Sequence, residues 1–289
     1  MTIVIKVGGA RAVDPAGALA DVAALDSEGE RVAVVHGGST AVDETLERLG
    51  MEPEYVETPA GVVGRFTDAE TMEVFEMVFG HLNTQLVAGL QSQGVDAVGL
   101  NGVDGKLLHG PRKSAVRVVE DGTKKIRRGD HSGTIEEVNG DLLASLFQDG
   151  YVPVASPPMA GEARSASGDA SGDEPRAEIV PVNTDADRSA AAIAGELGAT
   201  LVLLTDVAGV YEDPDDPDTL IGSVETGADW ERLEAAAEGF MGRKVMAVEE
   251  ALDAGARAVV VADANADEPV LSALEGGGTH VHRSALEES

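Results

Sequence analysis

Short β-branched and aliphatic runs, each about one strand long, alternate along this chain with longer Ala- and Leu-rich stretches of helical period. Continuously apolar strands need cover on both faces, so this alternation predicts a largely parallel sheet layered between helices. The strand runs fall at 3–7, 31–36, 97–100, 152–155, 200–205 and 257–262. Helical patterns lie near 16–25, 41–49, 69–91, 141–147, 187–197 and 243–253. Glycine punctuates most strand ends, and there is no repeat of fixed period.

A chain of 289 residues suffices for one large α/β domain or two intimately joined lobes. It contains no cysteine, which excludes disulfides and thiolate metal sites, and its six histidines are scattered. The opening residues MTIVIKVGGA lack the apolar core of a secretory signal. No stretch approaches the roughly 18 apolar residues of a membrane span. The expectation is a soluble, cytoplasmic protein. Against 52 acids stand 21 bases, a net charge of −31. Such a surface repels nucleic acid and anionic lipid, so neither is an expected partner. The acids are spread through a chain of ordinary apolar content, which suits a solvated surface adapted to the high salt of a halophile.

Two segments break the rhythm. Residues 161–178, rich in Ser, Gly, Ala, Asp and Glu, read as a flexible insertion at a seam between residues 1–160 and 179–289. Residues 106–128 read as a hairpin turning at Glu120-Asp121-Gly122. That hairpin holds Lys106, Arg112, Lys113, Arg117, Lys124, Lys125, Arg127 and Arg128, opposed by two acids. Either these cations pair with nearby acids or they form a docking island for an acidic partner.

Six polar motifs sit at the ends of the apolar runs. Lys6-Val7-Gly8-Gly9 puts a lysine inside an apolar strand, where burial is costly without an anion. Gly-Gly alone would suit an ordinary strand-to-helix turn. It is neither a dinucleotide fingerprint nor a P-loop. His36-Gly37-Gly38-Ser39 repeats the arrangement at the next strand, so two anion-receptive loops lie side by side. Gly64-Arg65-Phe66-Thr67-Asp68 combines a helix cap with an arginine suited to a carboxylate. In Val182-Asn183-Thr184-Asp185-Ala186-Asp187, Asp187 is either a cap or a group orienting nearby lysines. Leu203-Leu204-Thr205-Asp206 leads to Val210-Tyr211 as a strand end that could carry a nucleotide. Gly239-Phe240-Met241-Gly242-Arg243-Lys244 brings two cations to a helix N-terminus, where they oppose the dipole unless an anion binds.

In this order and spacing, the motifs K-V-G-G, H-G-G, R-F-T-D-A-E-T, N-T-D-A-D, L-L-T-D-V-A-G-V and G-R-K-V resemble the amino acid kinase family, in its acetylglutamate kinase branch. The resemblance runs from about residue 3 to 282. It implies an open, mostly parallel sheet sandwiched by helices, with residues 1–160 binding the amino acid and 179–289 binding ATP. Lys6 and Lys244 would contact the transferring phosphoryl, and Asp187 would hold both lysines. Gly8, Gly9, Gly37 and Gly38 would offer amides to phosphate and substrate. Arg65 and Asn183 would bind the substrate's α-carboxylate region, and Thr205, Asp206 and Tyr211 would lie along ATP. Mg²⁺ would bridge the phosphates without protein side-chain ligands.

Within the branch, residues 102–106 and 132–139 are similar to kinases acting on glutamate or 2-aminoadipate attached to an acidic LysW-type amino-group carrier protein. The basic hairpin agrees, with Arg112, Lys113, Arg117, Lys124, Lys125, Arg127 and Arg128 as docking residues. The alternatives are an acetylglutamate kinase acting on the free substrate and a non-catalytic ATP or amino-acid sensor. The chain begins at strand one, without the helical extension of arginine-inhibited hexameric members. The expectation is therefore a homodimer without arginine feedback.

Overall fold

The computed structural model describes residues 1–8, 15–59, 61, 63–120, 123–163, 178–237 and 240–287. The first half contains β1 (Thr2–Val7), α1 (Pro15–Ser27), β2 (Arg31–His36), α2 (Ser39–Arg48), β3 (Tyr55–Glu57), β4 (Val63–Arg65), α3 (Ala69–Ser92) and β5 (Ala97–Gly102). Next come the long hairpin β6 (Leu108–Glu120) and β7 (Thr123–Gly133), then β8 (Glu137–Val138), α4 (Gly140–Gln148) and β9 (Val152–Ala163). The second half contains β10 (Glu178–Val182), α5 (Ala186–Glu196), β11 (Thr200–Thr205), β12 (Ser223–Val224), α6 (Gly227–Ala236), α7 (Phe240–Asp253), β13 (Ala258–Asp263), α8 (Pro269–Leu274), β14 (Thr279–His282) and α9 (Ser284–Glu287).

The fold is the expected three-layer α/β arrangement. Neighbouring strands β13, β11, β1, β2, β9 and β5 are all parallel. β14 lies antiparallel beside β13, and β12 closes that end parallel to β14. β1 alternates in the manner a pleat demands. Ile3, Ile5 and Val7 enter a core layer shared with α1 and α8, while Val4 enters the layer shared with α5 and α7. Lys6 follows Val4 by two residues and so points toward α5. The chain leaves β1 for β2 on one side and returns as β11 on the other. That reversal opens a crevice beyond the C-terminal ends of β1 and β11, the usual ligand position in an open α/β sheet.

All six expected strands and all six expected helices are present, with small boundary shifts. The largest difference is β9, which continues past residue 155 to Ala163. There its second half pairs with β10 (antiparallel) and with β6 (parallel). Residues 161–163 and 178 are therefore strand and not insertion; residues 164–177 lie outside the described residues. The hairpin expected over 106–128 is present over 108–133, with Lys106 in the helical turn before it; residues 121–122 of its turn lie outside the described residues too.

Candidate active site

Lys6 is 7 % exposed at the end of β1. Its Nζ lies 2.6 Å from Asp187 Oδ1, and Lys244 Nζ lies 3.8 Å from Asp187 Oδ2. One carboxylate thus holds two ammonium groups that come from β1 and from the second turn of α7. Burial alone would push the Asp187 carboxyl up. The Lys6 and Lys244 charges, the Lys6 hydrogen bond and the Arg243 charge more than offset it, leaving the carboxyl below its ordinary range. Asp187 is free for this task because Asp185 is the N-cap of α5, accepting from the Asp187 and Arg188 amides at 2.8 and 3.1 Å. Arg188 clasps α5 to α7 through two contacts with Glu250, at 2.7 and 2.6 Å.

The second glycine loop runs beside the first, the Gly37 N–H donating to Val7 O at 3.2 Å. Gly38 is the N-cap residue of α2, and a Cβ there would meet Leu82 Cδ1 at 2.7 Å. Its lack of a side chain is what lets the loop lie against α3. His36 is buried between these loops and Phe79, stacked at 5.7 Å. Desolvation lowers its pKa to about 4, and the hydrogen bond to Gly37 O only partly opposes this. The imidazole is therefore neutral, donating from Nδ1 to Gly37 O at 3.0 Å and accepting at Nε2 from Asn83 at 3.3 Å. Gly8 directly follows β1, and Gly9 lies outside the described residues.

Arg65 is held by the protein. Nη1 lies 2.6 Å from Asp43 Oδ1, while Nη2 donates to Ser39 O at 3.0 Å and to Tyr55 Oη at 3.1 Å. Asn183 donates from Nδ2 to Thr67 Oγ1 at 2.9 Å, so the two segments expected to bind substrate are joined directly. Thr205 is buried at the end of β11 and donates to Asp206 Oδ1 at 3.0 Å; Asp206 is exposed. Tyr211 bridges to Leu220 in the following loop. A cavity of about 410 Å³ opens behind the His36 loop, walled by Phe79, Asn83, Asn101 and Ser156, and none of Lys6, Asp187 or Lys244 lines it.

The hairpin cations divide into two sets. Arg127 pairs with Glu54 and lies 4.1 Å above the Phe66 ring. Arg112 donates to Asp130 O and to His131 Nε2, the latter at 3.0 Å. Lys113, Arg117, Lys124, Lys125 and Arg128 are exposed. Asp43 and Asp130 escaped the sequence reading. A lone carboxylate within a polar helix or an exposed hairpin carries no pattern that distinguishes it.

Residues 1–263 match the Amino acid kinase family. The chain is 42% identical over 286 residues to a [LysW]-aminoadipate kinase of Thermus thermophilus, covering 96% of this chain and 99% of that one. It is 41% identical over 252 residues to an acetylglutamate kinase of Methanopyrus kandleri, covering 86% and 89%. It superposes on N-acetylglutamate synthase from Neisseria gonorrhoeae with a TM-score of 0.74 at 22% identity, over 97% of this chain and 59% of that one; the likeness bears on the fold alone. With the matched family spanning β1 to β13, both glycine loops and the shared carboxylate, this chain belongs to the amino acid kinase family.

Proposed function

We propose that this protein transfers the γ-phosphoryl of ATP to the side-chain carboxylate of glutamate or 2-aminoadipate whose amino group is held by an acidic LysW-type carrier protein. The observation that carries the reading is the sharing of Asp187 by Lys6 and Lys244 beside the crevice. Bringing a carboxylate up to a polyphosphate joins two anions. Fixed cations and amide donors supply the stabilisation such a transition state needs. The acceptor is already ionised at neutral pH, so no general base is required. This suits a site in which the His36 imidazole, at the second glycine loop, is buried and neutral.

Asp187 is committed to two lysines, and no cluster among the described residues has the makings of a metal site. The local charge therefore favours a phosphate chain over a bare cation. Mg²⁺ would arrive on the ATP phosphates and neutralise part of their charge. Thr205, Asp206 and Tyr211 form the nucleotide side, in the lobe of residues 179–289, and Gly8 and Gly9 offer amides to the phosphates from the lobe of residues 1–160. Gly37, Gly38, Arg65 and Asn183 form the acceptor side, in the lobe of residues 1–160. The exposed cations of the hairpin receive the carrier. The names of the relatives favour carrier-bound aminoadipate, and the acetylglutamate kinase relative supports free N-acetylglutamate as the second reading. We place the enzyme in the cytoplasm as a homodimer; no helix among the described residues is long and apolar enough to cross a membrane.

The test is turnover of Lys6→Ala and Lys244→Ala on carrier-linked and free N-acetylated acceptors. Each variant should lose about a hundredfold or more in kcat with its circular dichroism unchanged. Wild-type turnover in both would remove the assignment.

A further inference from the structure

Among the described side chains of the long hairpin, Asp130 is a fully buried acid, 2 % exposed in a strand whose other residues are exposed or half-buried. Its Oδ1 accepts from the Thr67 N–H at 3.3 Å, and its Oδ2 accepts from Ser132 Oγ. The backbone on its C-terminal side is laced to both acceptor-side segments. The His131 N–H donates to Thr67 O and the Asn183 N–H donates to His131 O, each at 2.7 Å. The Gly133 N–H donates to Asn183 O at 2.9 Å. Thr67 is itself fully buried and accepts the Asn183 amide. Arg112, from the opposite strand, donates to Asp130 O at 3.2 Å and so pins the same point from the hairpin side. One buried carboxylate thus stands where the hairpin, the Arg65–Thr67 segment and the Asn183 segment meet.

We infer that Asp130 is a positioning residue, which locks the hairpin base to Thr67 and thereby sets Arg65 and Asn183 against the acceptor. The inference rests on the acceptor roles proposed above for those two residues. Thr67 lies two residues from Arg65 and touches Asn183, so losing its fixed amide loosens both together. The hairpin is then more than a landing surface, because its root is part of the acceptor site's frame. A small displacement of groups that orient a substrate is enough to cost an order of magnitude or more in rate or binding.

The experiment compares wild type with Asp130→Ala, Asp130→Asn and Ser132→Ala, measuring kcat and the KM values for ATP and for both acceptors. D130A should raise the acceptor KM about tenfold for carrier-linked and free N-acetylated substrates alike, with the ATP KM within about twofold. An asparagine keeps both hydrogen bonds, accepting from Thr67 and donating to Ser132, so D130N should stay within about threefold of wild type. S132A, which removes one hydrogen bond and no buried charge, should shift the acceptor KM in the same direction by less. It decides the matter if D130A is too unstable to assay. Amide exchange without substrate should show Thr67 and Asn183 losing protection together in D130A. An unchanged acceptor KM, an ATP KM that rises in step, or unchanged protection at those amides overturns the inference alone. A wild-type protein inactive on both acceptors refutes the proposed function, and this inference with it.

Discussion

Protonating His36 would place a charge in the core at the root of the second glycine loop, and its pKa of about 4 expresses that cost. On acidification the unfolded chain takes up this proton near the ordinary value of 6.5, while the folded chain resists until about pH 4. Stability from the neutral imidazole is therefore complete above pH 6.5, falls as the pH drops from 6.5 to about 4, and levels off below. The loss amounts to about 3 kcal/mol. Asp187, whose carboxyl is held low, also loses its contribution on acidification, so the His36 part must be isolated by difference. Urea unfolding of wild type and His36→Asn from pH 7 to 4 should show the gap between them narrowing by about 3 kcal/mol; a gap that is flat with pH excludes this account. Lys6 was legible because a lysine in an apolar strand announces a partner. Asp187 and Lys244 were legible from their positions beside helix starts. Asp43 and Asp130 were not, because their importance comes from Arg65 and Thr67, which lie 22 and 63 residues away.

At the scale of elements, the hairpin shows what composition cannot resolve. Eight cations in one segment read as a single island, yet pleating sorts them. Pairing Ala115 with Arg128, Arg117 with Ile126 and Val119 with Lys124 puts Arg117, Lys124 and Arg128 on one exposed face. Val118, Lys125, Val116 and Arg127 lie on the other, where Val118 is buried and Arg127 covers Phe66. Reversing charge at Arg117→Glu and Lys124→Glu should raise the KM for an acidic carrier about tenfold at low salt. The effect should fade as salt is added, and the KM for free N-acetylglutamate should not move. Equal effects on both substrates would mean the face does not dock the carrier. The same limit explains β9. Its first four residues are an apolar run, whereas residues 156–163 contain three non-β formers in Pro157, Pro158 and Gly161, and their pairing with β5, β6 and β10 makes them strand. The pair β3–β4 is too short for periodicity to reveal.

Over the whole molecule, a net charge of −31 leaves most carboxylates without a cation. Pairs such as Arg188–Glu250, Arg232–Glu212 and Arg127–Glu54 engage a minority of them. Their mutual repulsion favours expansion of the chain, and it weakens as the Debye length shortens from about 10 Å at 0.1 M salt to about 3 Å at 1 M. The melting temperature should therefore rise by several degrees across that range of KCl, and a temperature that is flat or falling would show that surface repulsion is not limiting. The layered architecture was readable throughout, since the buried strands are largely apolar runs and most of them end near a glycine. The order of strands was not readable, because nothing local in β1 records that β11 will be its neighbour. That neighbourhood has a consequence during synthesis. β1 pairs with β2 on one flank almost at once, but the residues of β11 that fill its other flank follow about 200 positions later. At translation speeds of about 5–20 residues per second, an apolar strand edge stays uncovered for about 10–40 s on the ribosome. Over that interval the nascent chain depends on shielding from outside itself.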